Sequence, residues 1–225
     1  MPFLPPLYHR IIPENHTQSC SHILPRDITH YPRGDILTYG KYKDLRGAAW
    51  QCLIDNQIDR LPVNILQIAK NAGIRVIKNS DAHQLAENES GVSLSNGTKW
   101  YIIYDDSASV ERSRFTVAHE LGHIFLGHKL VKGKIARTKT FATRPEIERE
   151  ADMFASRLLC PACVLWALDL HAPEEISQAC KVSYTAAKIR AERMELLYSR
   201  NKFLTHPLER EVYQLFQDYI RDQSH

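Results

Sequence analysis

The chain has 225 residues, 44% hydrophobic and 24% charged, with a formal net charge of +3. That make-up suits a globular domain with a sizeable core, and so small a charge gives no argument for nucleic-acid binding by itself. No apolar run approaches the roughly 20 residues that span a bilayer, and the opening MPFLPPLYHRIIPENH is too broken by proline to read as a secretory signal.

Residues 1–36 carry Pro2, Pro5, Pro6, Pro13, Pro25 and Pro32 without a helical or strand period, and read as an extended N-terminal arm. From Lys41 the pattern turns helical, with Leu45, Ala48, Ala49, Cys52 and Leu53 on one face. Pro62 opens a second helix, which Gly73 stops. IRVIK (74–78) reads as a strand, and 79–90 as a polar loop. GVSLSNGTKWYIIYDD (91–106) is the clearest β signal, because Asn96-Gly97 favours a tight turn between two strand-like runs. YIIY is apolar on both faces and is expected inside a sheet. GVSLS alternates and is expected nearer an edge. A helix start at Asp105, Asp106 or Ser107 leads into RFTVAHELGHIFLGH, with Gly127 as its stop. Residues 129–144 read as a flexible basic link. Helices follow at 145–160, 163–170, 174–181 and 184–198, and an amphipathic one at 207–222 presents Val212, Leu215, Phe216 and Tyr219.

Within the helix at 115–128, His119 and His123 are four residues apart, so their imidazoles lie about 40° apart on one face. Both can reach one tetrahedral Zn²⁺. Glu120 is rotated by about 100° from His119, beside the metal, where it can take a proton from a water the metal has acidified. His-Glu-x-x-His therefore supplies two ligands and a general base for hydrolysis. A third ligand must come from elsewhere. His128 lies about 180° from His119 if the helix continues, and Leu126 and Lys129 break the extended three-histidine pattern, so it is expected to play a structural hydrogen-bonding role. In TRPEIEREADMFASRLLCP (143–161), Ile147, Ala151, Phe154 and Leu158 form an inward stripe. Glu150 lies about 70° from its centre, against about 90° for Glu148 and 110° for Glu146. Glu150 is therefore the expected third ligand, with Glu146, placed to close a capping box with Thr143, in reserve.

R-x-R-F-T-V-A-H-E-L-G-H (112–123) and E-R-E-A-D-M-F-A-S-R-L-L-C-P (148–161) resemble the two signature blocks of the ImmA/IrrE zinc metallo-endopeptidases, with Cys160 where that family usually has methionine. The resemblance implies an α+β, zincin-like fold: a small sheet over the active-site helix and a helical C-terminal part. It also implies zinc held by His119, His123 and Glu150, with Glu120 as base. It divides the chain into the arm (1–36), a metallopeptidase core (37–165) and a helical C-terminal subdomain (166–225). Family members act on helix-turn-helix repressors of the XRE type, so a repressor is the implied protein substrate, in transcription regulation and mobile elements. A non-catalytic zinc-containing regulator that binds a transcription factor is the alternative. An edge strand above the zinc helix could receive an extended substrate by strand addition, and Gly91, Val92, Ser93, Leu94 and Ser95 are the residues expected to do so.

Five cysteines, irregularly spaced, read as reduced thiols of a cytoplasmic protein. Cys160-Pro161-Ala162-Cys163 has no second pair nearby and is expected to be buried and unreactive. Residues 174–195 have helix-turn-helix spacing. However, 173–200 hold five cations (Lys181, Lys188, Arg190, Arg193, Arg200) and four acids (Glu174, Glu175, Glu192, Glu195), leaving one positive charge. A packing unit is expected there, without direct nucleic-acid binding or membrane association.

Overall fold

A computed structural model describes residues 41–96, 98–128, 134–138 and 146–223. The expected arm, 1–36, lies outside the described residues. The elements in chain order are α1 (Lys41–Asp55), α2 (Ile65–Asn71), β1 (Arg75–Lys78), α3 (Asn79–Ala82), β2 (Glu89–Ser95), β3 (Trp100–Tyr104), α4 (Val110–Phe125), β4 (Lys134–Thr138), α5 (Glu146–Leu159), α6 (Ala162–Ala167), α7 (Pro173–Cys180), α8 (Tyr184–Ser199), α9 (Pro207–Leu215) and α10 (Gln217–Gln223).

The architecture is α+β and zincin-like. The strands form one sheet in the order β1-β3-β2-β4, with β1 parallel to β3 and the other pairs antiparallel. The Asn96 side chain organises the β2–β3 hairpin by accepting from the backbone N–H groups of Thr98 and Lys99. As the apolar YIIY run implies, β3 is interior. β2 is interior too, which corrects its expected edge position: β3 takes one side of it and β4 the other. The missing neighbour came from the basic segment, where 134–138 are a strand rather than part of a flexible link.

Alternation along β2 sorts its side chains between two environments. Val92 joins Ile103 and Ala82 in a small cluster on one face of the sheet. Gly91 and Ser93 face α4 on the other. Beneath them α4 packs on α5, and α1 packs on α5 and α9. A single apolar cluster runs from Ala49 through Leu121, Phe154 and Leu165 to Phe216, so residues on both sides of position 165 contribute to it. Local chemistry sets several helix limits. Ser109 caps α4 by accepting from Arg112 N–H, Asn64 caps α2 through Gln67, and Ser183 caps α8 through Ala186. The expected helix over 207–222 is two pieces, α9 and α10, separated at the buried Phe216.

Candidate metal centre

Ten consecutive residues of α4, Thr116 to Phe125, are buried, including His119, Glu120 and His123. Buried polar side chains need partners, and each of these has one within reach. The His119 and His123 Nε2 atoms lie 2.9 Å apart. The Glu148 carboxylate closes over both, with one oxygen 3.3 Å from His119 Nε2 and the other 3.2 Å from His123 Nε2. These three side chains form a group able to hold one metal ion.

The outward nitrogens of the two imidazoles are also engaged. His119 Nδ1 is 2.8 Å from Asp152, and His123 Nδ1 is 2.8 Å from His128 Nδ1. His128 Nε2 is in turn 3.0 Å from Glu150. One tautomer set satisfies these outer contacts: His119 donates to Asp152, His123 donates to His128, and His128 donates to Glu150. Both inner Nε2 atoms then keep their lone pairs. Two lone pairs that close repel one another unless a cation lies among them. Two imidazoles and a carboxylate, backed by the Asp152 carboxylate and the His128 imidazole, are a donor set that suits Zn²⁺. The charges agree with this picture. Burial works to raise the Glu148 carboxyl, but with a proton on Nε2 in the place of an ion, hydrogen bonds from His119 and His123 outweigh it and hold that carboxyl well below the usual range. Burial lowers the His123 and His128 imidazoles, favouring their neutral forms.

Glu120 is held from above. Ser93 Oγ donates to Glu120 Oε2 at 2.6 Å and lies 3.3 Å from the Glu120 carbonyl oxygen. β2 can come this close because residue 91 is glycine. A Cβ there would collide with Thr116 Cγ2 and sit 3.2 Å from Glu120 Oε1.

The expected third ligand needs correction. Glu150 is buried, but its carboxylate is on His128, and Glu148 is the acid that reaches both histidines. The error traces to the inward stripe. Ile147 is 37% exposed, whereas Ala155 and Leu159, outside the expected stripe, are fully buried. Recentring the stripe puts Glu148 about 50° from its middle and Glu150 about 110°. The Glu148–Asp152 spacing of four residues, matching that of His119–His123, was the available signal. It sets both acids on one face of α5, and Asp152 was missed with Glu148. His128 returns towards His123 because α4 ends at Phe125 and Gly127 takes φ +69°. It fills the hydrogen-bonding role expected of it, though not on the far face of a continuing helix. The expected strand-addition surface also changes: Gly91 and Ser93 support Glu120 from an interior strand, and neither side of 91–95 is open.

With the site in view, comparison with protein families is decisive. The family model of the IrrE N-terminal-like domain, a peptidase family, matches residues 69–192. The chain belongs to this IrrE-like family. Comparison with curated proteins yields no match. The IrrE-like match spans β1 to α8 and so contains both helices of the metal centre and the whole sheet. It supports a metallopeptidase-type hydrolase.

Proposed function

We propose that this IrrE-like protein is a zinc-dependent endopeptidase whose substrate is a helix-turn-helix repressor of the XRE type, cleaved to relieve repression. The observation that carries the catalytic reading is the convergence of His119, His123 and Glu148, with the Glu120 carboxylate fixed beside them by Ser93. The repressor comes from the resemblance to ImmA/IrrE enzymes.

His119, His123 and Glu148 would hold the ion, which, when bound, supplies a Lewis acid that polarises a carbonyl and acidifies water. Asp152 fixes the ring of His119, and the His128–Glu150 pair fixes that of His123. Glu120 takes a proton from the attacking water as its oxygen bonds to the scissile carbonyl carbon. Glu120 then gives that proton to the departing amine as the C–N bond breaks. Ser93 keeps the carboxylate in the orientation both transfers need. An extended substrate would add at the β4 side of the sheet, since β2 is already paired on both sides.

The test is Glu120→Gln, assayed for zinc content and for cleavage of a co-encoded helix-turn-helix repressor. Retained zinc with abolished turnover is expected. Cleavage by the variant at the wild-type rate would remove Glu120 as the base. An intact repressor bound by wild-type protein under conditions where control proteases cut would favour the non-catalytic regulator.

A further inference from the structure

Away from the metal centre, a cavity of about 200 Å³ opens between α1, α5, α8 and α9. Its walls carry Arg46, Arg157, Arg190, Arg193 and Lys202 against one carboxylate, Glu209. Arg157 and Arg193 also border the adjoining space lined by Asp152 and Glu192, so the excess of positive charge here rests on Arg46, Arg190 and Lys202. The cations come from separate parts of the chain: Arg46 from α1, Arg157 from α5, Arg190 and Arg193 from α8, and Lys202 from just beyond α8. Their convergence is therefore a product of the tertiary fold rather than of one basic run.

Arg190 is the unusual member. It is only 6% exposed, and its Nε–H has no hydrogen-bond partner among the described residues. No carboxylate of the described residues is among the groups that act on it electrostatically: those are the thiols of Cys160, Cys163 and Cys180, which are weak acceptors, and Arg193. Burying a guanidinium without an acceptor is costly. Arg46, on the opposite wall, repeats the pattern: its Nε–H is also buried without a hydrogen-bond partner among the described residues. Its guanidinium is held against the wall by the Trp50 ring, 4.9 Å from the ring centroid, and Trp50 in turn stacks on His206. Two anchored guanidiniums with unused donors thus border one small space. Glu209 satisfies neither Nε–H: its hydrogen bond is from Thr205 N–H, and both Nε–H groups stay without a partner among the described residues.

We propose that this cavity is a binding site for a small phosphoryl-bearing anion, either free phosphate or a compact phosphomonoester. The planar donor forks of arginine match phosphate oxygens, and an excess of positive charge on the walls suits a dianion better than a single carboxylate. A space of about 200 Å³ holds several water molecules and accommodates a phosphoryl group and a few carbon atoms.

The test uses the full chain at constant ionic strength. Inorganic phosphate and glycerol 3-phosphate are titrated separately by calorimetry, with thermal melting in parallel. Saturable binding and a higher Tm are expected with at least one of them, and the tighter one identifies the source of the phosphoryl group. Arg46→Gln, and separately the exposed Lys202→Gln, should weaken binding, the former at least tenfold. The Lys202 variant keeps the test open if Arg46→Gln folds poorly. The uncharged chelator o-phenanthroline should leave the affinity unchanged, because the site is independent of the metal centre. No saturable binding of either anion, affinity unaffected by both substitutions, or loss of binding in the chelator would each overturn the proposal.

Discussion

Replacing Gly91 by alanine tests how the sheet delivers Ser93 to Glu120. The added methyl would collide with Thr116 Cγ2 and press on the Glu120 side chain, 3.2 Å from Oε1 and 3.5 Å from Cγ. β2 cannot slide away cheaply, because Gly91 is paired with Tyr104 of β3 and Arg137 of β4. Overpacking of this kind costs about 1–3 kcal/mol. For a chain of this length that corresponds to a Tm lower by roughly 2–12 °C. Activity should fall further than stability alone implies. A catalytic group displaced by about 1 Å can lose about a hundredfold in rate, and the intruding methyl lies against the proposed base. Zinc content should change little, because the atoms nearest the added methyl belong to Thr116 and Glu120 rather than to His119, His123 or Glu148. The assay is thermal melting, metal analysis and repressor cleavage on Gly91→Ala and on Gly91→Ala combined with Thr116→Ser. The second change removes the colliding methyl and keeps the hydroxyl, so it should recover most of the lost stability through a measurable coupling between the two sites. Gly91→Ala protein as stable and active as wild type would refute the close-packing argument.

Two further outcomes follow from groups remote from the metal. Burial pushes the Cys163 thiol up to about 12 and raises Cys52 further still. Native protein should therefore leave both unmodified by a thiol reagent at neutral pH, while denatured protein reacts fully; rapid native labelling of Cys163 would contradict its placement. Burial also raises the Glu209 carboxyl, against the opposing pull of Thr205 N–H and Arg46. The folded state therefore binds the proton more tightly than the unfolded state, so this group's contribution to stability falls as pH rises from the unfolded value through the folded one. Melting curves from pH 4 to 7 should show wild type losing stability relative to Glu209→Gln as pH rises, and the opposite slope would reverse the assignment.

The parts of the fold that were legible in the sequence are those in which local chemistry and tertiary packing agree. The β2–β3 hairpin and the buried helix carrying His119, Glu120 and His123 belong to this group, because turn residues and apolar spacing act over a few positions. β4 was not legible. Its residues lie in a stretch dominated by lysine and arginine, and their strand conformation depends on pairing with β2, which no local pattern reports. The same missing strand made β2 look like an edge. Choosing among the acids of α5 turned on which apolar side chains face inward. Ile147 is hydrophobic yet exposed, while the small Ala155 and, next to it on that face, Leu159 are fully buried. Hydrophobicity alone pulled the inferred face towards Glu150. Burial of Ala155 and Leu159 pulls the true one towards Glu148.

Zinc per chain, measured side by side in wild type, Glu148→Ala and Glu150→Ala, tests the metal centre most directly. One tightly held ion in wild type, its loss in Glu148→Ala and its retention, with weaker affinity, in Glu150→Ala are the predicted results. An ion kept by Glu148→Ala and lost from Glu150→Ala would contradict the arrangement on which the rest is built.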